Sequence, residues 1–209
     1  MALGVADVVG IDFDNTIIGY DNVMRSVAAR RGYISSDGPT DKRSIRDLIW
    51  LRPDGDVDWQ RVQGEVYGSR IGEAVLIDGA RSFFRRCITA GVSVHIVSHK
   101  TEFAGYDPTR TNLRQAALRW LHEQNAFVPT GLGLSPDHVW FAATRREKIA
   151  HIGRLGCRVF IDDLPEVFSE PGFPASVERI LFDSTGAEAK DADRAFRSWP
   201  EIEAYLFDE

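Results

Sequence analysis

The sequence predicts an α/β fold: a Rossmann-like parallel sheet with a small helical insert after its first strand. Three observations predict it. Short apolar runs rich in β-branched residues recur along the chain, amphipathic helical stripes separate them, and the interval after the first run is far too long for a simple crossover.

Five segments read as strands: residues 6–13, 93–97, 138–142, 158–161 and 179–182. Several are nearly continuous apolar runs, as parallel strands covered on both faces should be. Between them, Ala80, Phe83, Phe84, Cys87 and Ile88 follow the spacing of one helix face. Leu113, Ala116, Ala117, Trp120 and Leu121 repeat that stripe, and Ile149, Ile152 and Leu155 mark a shorter helix. Ser198 and Glu201 stand at capping-box spacing before Ile202, Tyr205 and Leu206, which predicts a closing helix. Strands alternating with helices imply right-handed crossovers and a ligand edge beyond the carboxyl ends of the strands. Chemically active residues should therefore stand just after the apolar runs.

About 60 residues, from Ile17 to roughly Ile77, separate the first strand from the helix leading to the second, where a crossover needs far fewer. The stretch has helical stripes of its own: Val23, Met24, Val27 and Ala28; Ile45, Leu48 and Ile49; Trp59, Val62 and Val66. The expected division is a core of residues 1–17 and 78–209 and a helical insert of 18–77, hinged near Gly19 and near Asp78-Gly79. Residues 34–41 read as a polar turn within the insert.

The 209 residues are 44% apolar and 27% charged, ordinary for a globular chain. A net charge of -6 argues against a duplex-binding surface, so no nucleic-acid partner is expected. The same acidity is compatible with a phosphorylated substrate, because a bound metal supplies local positive charge. No apolar run approaches the roughly 18 residues of a membrane span, so no membrane partner is expected either. The apolar start lacks a basic lead-in and a small-residue cleavage site, and reads as a core strand rather than a signal peptide. Cys87 and Cys157, the only cysteines, sit among apolar residues and form neither a disulfide framework nor a zinc site, which points to a reducing cytoplasm. Oligomeric state is left open.

The first strand runs into Asp12-Phe13-Asp14-Asn15-Thr16. In extended chain, residues two apart point to one side, so both carboxylates face the open end of the sheet. Paired acids there divide labour, one attacking and one moving a proton, although Asp-Asn-Thr also suits a plain polar turn. The second strand ends in Ser98-His99-Lys100, where a hydroxyl followed by backbone amides suits a phosphate oxygen or simply opens a turn. His99 reads as a neighbour of that oxygen rather than as half of a nucleophile–base pair. Lys148 follows Glu147 at the start of the short helix. The fourth strand ends in Asp162-Asp163. Adjacent acids after a buried strand need cations, and a hard divalent ion with oxygen ligands provides one; helix capping before Leu164-Pro165 is compatible with that.

In this order, Asp-x-Asp-x-Thr, Ser, Lys and Asp-Asp resemble the four signature motifs of the haloacid dehalogenase-like (HAD) superfamily. The resemblance covers nearly the whole core, and the insert looks like a C1-type helical cap. It implies a magnesium-dependent phosphatase acting on a small phosphorylated metabolite. Asp12 is implied as the nucleophile that becomes an aspartyl-phosphate. Asp14 is implied as general acid and then base, with its carbonyl on the metal. Ser98 and Lys148, with His99 beside them, are implied to hold phosphoryl oxygens. Asp162 and Asp163 are implied to anchor magnesium together with Asp12 and Asp14, and Thr16 to support the motif loop; which of Asp162 and Asp163 ligates directly is left open, strand register favouring Asp163. Dehalogenases of the superfamily lack an acid at the position of Asp14, because halide needs no proton to leave. A phosphotransferase or mutase would use the same residues, with a second hydroxyl in place of water. A non-catalytic domain of this fold usually loses the nucleophile or metal acids, and here all are present. The basic insert residues Lys42, Arg43, Arg46, Arg52 and Arg70 are either contacts for a leaving group or solvated helix faces. Residues 101–114, with Phe103, Tyr106 and Arg110, form a second stretch long enough to border the site.

Overall fold

The structure, a computed structural model, describes residues 2–183 and 191–208. In chain order it contains β1 (Val8–Ile11), β2 (Ile18–Gly19), α1 (Asp21–Arg30), α2 (Lys42–Trp50), α3 (Gly55–Tyr67), β3 (Val75–Leu76), α4 (Ala80–Ala90) and β4 (Ser93–His99). There follow α5 (Leu113–Glu123), β5 (Val139–Ala142), α6 (Arg145–Arg154), β6 (Val159–Asp162), α7 (Pro165–Phe168), β7 (Glu178–Phe182), β8 (Arg194–Phe196) and α8 (Trp199–Phe207).

Six strands form one parallel sheet in the order β5-β4-β1-β6-β7-β8. The predicted α/β fold is the fold observed. Strand order runs outward from β1 in both directions, which makes the carboxyl ends of β1 and its neighbours a topological switch point. All five expected strands are present with shifted ends. β1 is shorter than expected, since Ala6 takes a left-handed φ of 74°. His138 belongs to a short 3-10 turn, and β4 runs two residues beyond Val97, to His99. β8 was not expected: Arg194 and Ala195 are exposed, Phe196 is half-buried, and the three form no apolar run.

The chain divides into two compact units. One holds the residues up to Ile18, Leu76–Lys100, and those from Gln124 onward; the other holds Gly19–Val75 and Thr101–Glu123. In the first unit, Ala80, Phe83, Phe84 and Cys87 bury one face of α4, while Ile88, expected on that stripe, is exposed. Trp199 of α8 packs against Phe83, with ring centroids 4.8 Å apart, and stacks on Phe182 at 5.7 Å. The expected capping box forms only in part. Ser198 makes no side-chain cap bond, and Glu201 accepts instead from the amide of Arg197 at 2.8 Å.

The second unit is helical. Val23, Met24, Val27 and Ala28 of α1, Ile45 and Ile49 of α2, and Trp59, Val62 and Val66 of α3 are buried, whereas Leu48 is exposed. Asp41 ends the polar turn by accepting the Ser44 amide at 2.9 Å, which caps α2. The sequence division kept residues 101–123 with the core; their packing groups them with the helices. Gly64 of α3 permits a close approach, since a Cβ there would lie 3.0 Å from Ala104 Cβ and 3.2 Å from Asp107 Cβ. Trp120 of α5 donates from Nε1 to the Ala74 carbonyl at 3.1 Å. Arg46, Arg52 and Arg70 are ion-paired within this unit, to Asp47, Asp58 and Glu73, and Arg110 lies over the Phe103 ring. No helix among the described residues is long and apolar enough to cross a membrane.

Candidate active site

β1 carries the first functional residues past the sheet edge. Gly10, at its centre, faces Phe160 so closely that a Cβ would meet its ring at 2.6 Å and Cys157 Sγ at 2.9 Å. Beyond β1 the ladder continues by one bond, from the Asp12 amide to the Ile161 carbonyl at 2.8 Å. The chain then turns back on itself. Asn15 takes a left-handed φ of 62°, a conformation asparagine tolerates better than most residues, and its amide donates to the Ile18 carbonyl. Thr16 is fully buried, and its carbonyl accepts from Trp199 Nε1 at 2.9 Å. Its backbone therefore anchors the loop; its hydroxyl has no partner among the described residues.

Lys148 reaches this loop from α6. Thr144 caps α6 by accepting the Glu147 amide at 3.1 Å, and the Glu147 carboxylate accepts the Ala143 amide at 2.7 Å. That reciprocal pair sets where α6 starts, and so the turn from which Lys148 projects. The Lys148 ammonium is buried and donates to Asp12 Oδ1 and to Asp162 Oδ2, each at 2.6 Å. Asp162, with no exposed surface, also accepts the Leu164 amide on Oδ1 at 3.0 Å. Asp162 thus pairs with an ammonium and holds the turn into Leu164, while α7 itself starts without a side-chain cap.

Burial opposes the charge on Lys148, but Asp12 and Asp162 outweigh it and hold the ammonium above the ordinary lysine range. Burial pushes the Asp12 carboxyl up to about 7; Lys148 works against that rise, and Asp162 and Asp14 add to it. Carboxylate oxygens of Asp12, Asp162 and Asp163 all lie within 4.8 Å of one another. Lys148 bridges two of these three carboxylates, and Lys100 pairs with Asp14. This all-oxygen donor set fits a hard divalent cation.

Ser98 is buried at the end of β4, and its hydroxyl has no partner among the described residues. A buried hydroxyl without a partner costs roughly 1–3 kcal/mol, so this one is available to a ligand oxygen. His99 is exposed, and its Nε2 faces the Ala143 carbonyl at 3.2 Å. Because a carbonyl only accepts, that nitrogen carries the proton and is engaged with backbone.

Sequence reasoning passed over Lys100. Its residue is 3% exposed, and its ammonium lies 2.7 Å from Asp14 Oδ2 and 3.0 Å from Oδ1. The available signal was spacing: Lys100 stands two residues past Ser98, as Asp14 stands two past Asp12, and period two puts both members of each pair on one side.

No protein-family model matches the chain, and no curated protein matches it at a significant level. Solved structures do. A HAD family hydrolase from Deinococcus radiodurans R1, with bound phosphate and sodium, is 17% identical, and the match covers 95% of this chain and 94% of that one at a TM-score of 0.58. The HAD-hydrolase YfnB from Bacillus subtilis, bound to magnesium, is 12% identical over 97% and 99% of the two chains, with a TM-score of 0.57. A dehalogenase is 10% identical over 97% and 98%, with a TM-score of 0.56. Sheet order, strand-end acids and these likenesses agree: the chain has the fold of the HAD hydrolases.

Proposed function

We propose that this chain is a magnesium-dependent phosphatase that hydrolyses a small phosphorylated metabolite through an aspartyl-phosphate on Asp12. One observation carries the reading: the buried Lys148 ammonium bridges Asp12, just past β1, and Asp162, the last residue of the adjacent β6, at 2.6 Å each. A carboxylate attacks a phosphate dianion only where nearby positive charge offsets the repulsion. The Deinococcus neighbour with phosphate and the Bacillus neighbour with magnesium support the same reading.

In this reading an Asp12 carboxylate oxygen bonds to phosphorus as the bond from phosphorus to the leaving oxygen breaks. Asp14 gives that oxygen its proton. Asp14 then takes a proton from water as the water oxygen attacks phosphorus, and the bond to Asp12 breaks to release phosphate. Lys148 and the Ser98 hydroxyl hold phosphoryl oxygens, and His99 flanks them. Asp12, Asp163 and the Asp14 carbonyl would hold magnesium, with Asp162 behind them. Magnesium held there would offset the charge of the phosphoryl group and polarise its oxygens. Asp14 favours an ester over a haloacid, because an alkoxide needs the proton that a halide does not.

The test is a phosphate-release screen over a broad panel of phosphorylated metabolites, run with magnesium and with a chelator. Release is expected only with magnesium, and Asp12→Asn is expected to reduce it to background. Wild-type rates from that variant would overturn the proposal.

A further inference from the structure

Each carboxylate of the Asp-x-Asp pair has a buried ammonium beside it. Lys148 serves Asp12, and Lys100 meets Asp14. The Lys100 side chain is only 2% exposed, and its Nζ contacts both Asp14 oxygens, at 2.7 and 3.0 Å. Its backbone is fixed too: the Lys100 amide donates to the Ala142 carbonyl at 2.9 Å, which extends the pairing of β4 with β5 one residue past His99. The Phe13 ring stands 5.6 Å from Nζ, on the neighbouring strand end. Asp14 is differently placed. It sits in the loop that Asn15 reverses, and its side chain keeps 17% of its exposure. A short acid on a loop has several side-chain orientations, and contact from one fixed cation to both its oxygens selects among them.

We propose that Lys100 is the positioning residue for Asp14, holding its carboxylate where it delivers a proton to the leaving oxygen. The proposal rests on the phosphatase reading and deepens it. Lys100 forms no bond to substrate and gives up no proton. Asp14 protonates the leaving oxygen as the phosphorus–oxygen bond breaks, and recovers a proton from the attacking water. The consequence is selective. An ester whose leaving group is a basic alkoxide needs a well-placed acid, and one that leaves as a weakly basic nitrophenolate hardly does.

The experiment compares kcat/KM for benzyl phosphate and p-nitrophenyl phosphate, with magnesium, in wild type, Lys100→Met, Lys100→Arg, Asp14→Asn and the Asp14→Asn/Lys100→Met double variant. kcat/KM is chosen because it reports the steps up to departure of the leaving group. Lys100→Met is expected to lose about 100-fold on benzyl phosphate, the scale of general acid catalysis, and less than about threefold on p-nitrophenyl phosphate. Lys100→Arg, which keeps the charge, should recover much of the benzyl phosphate rate. In the Asp14→Asn background, Lys100→Met should cost nothing further. Equal losses on both esters, or a loss additive with Asp14→Asn, would overturn the proposal.

Crystal structures of wild type and Lys100→Met give a reading independent of turnover. The Asp14 carboxylate should take one orientation in wild type and a shifted or divided one in the variant; an unmoved Asp14 overturns the proposal. Lys100→Gln gives the same contrast if the methionine variant does not fold. Absence of phosphate release by wild type from both esters and from the metabolite panel counts against the phosphatase reading, and the crystal comparison then decides the role of Lys100 alone.

Discussion

Lys148 and Asp162, fourteen residues apart in sequence, meet at 2.6 Å with neither side chain more than 2% exposed. A pair this deep does not act like a surface ion pair. Removing the ammonium leaves Asp162 and Asp12 buried side by side, and losing one partner of a buried pair costs roughly 3–5 kcal/mol. Lys148→Met in the presence of a chelator should therefore lower Tm by roughly 10 °C for a chain of this length. Asp47→Ala, which breaks the exposed pair with Arg46, is the control and should cost about 1 kcal/mol at most. Equal losses in the two variants would show that the buried pair has no special weight.

Trp199 carries the next prediction. Its indole N–H holds the Thr16 carbonyl, so the closing helix pins the loop that bears Asp14. Trp199→Phe keeps most of the aromatic packing on Phe83 and Phe182 and leaves that buried carbonyl without its donor. The cost should be roughly 1–3 kcal/mol, read as a lower Tm. Amide exchange at residues 14–18 should quicken more than exchange within β7. Uniform quickening across the sheet would mean that only packing was lost.

What the sequence revealed follows from which signals are local. Strand ends are local: an apolar run that stops at Asp12, Ser98 or Asp162 announces its chemistry, and the structure puts Lys148 between the first and last of these. β8 could not be read because Arg194, Ala195 and Phe196 lie at a sheet edge, where no apolar run is required. Residues 101–123 were assigned by chain order, but contacts such as Trp120 to Ala74 span 46 positions and leave no trace in periodicity. Lys100 hid for another reason. A lysine after a strand looks like surface, and the Asp14 carboxylate that it meets stands 86 residues away.

Gly10 sets a steric prediction. An alanine there would place Cβ 2.6 Å from the Phe160 ring and 2.9 Å from Cys157 Sγ, and strand and ring cannot both stay in place. Gly10→Ala should destabilise by roughly 1–3 kcal/mol. Because the closest clash is with the Phe160 ring, Phe160→Leu should be less damaging in the Gly10→Ala background than alone. Denaturant melts of the four proteins measure that coupling. Strict additivity would place the strain elsewhere.

His95 carries the pH prediction. The Trp140 indole, which can only donate, points Nε1 at His95 Nδ1 at 3.2 Å, so that nitrogen must be unprotonated. Nε2 then carries the proton and faces the Ser93 hydroxyl at 3.3 Å, while the His138 ring lies 4.2 Å away. Burial, with His138 adding to it, pushes the imidazole from 6.5 down to about 4. Between those values the unfolded chain binds a proton that the folded chain refuses, so stability falls as pH drops from 6.5 toward 4. The Asp12 carboxyl, pushed up to about 7, acts with the opposite sign in the metal-free protein, so the useful quantity is a difference between two proteins. His95→Gln removes the titration and keeps an oxygen able to accept from Trp140. Through that window the Tm of wild type should fall relative to the variant, and above pH 7 the two should run in parallel. If they run in parallel throughout, His95 does not stay neutral in the folded protein.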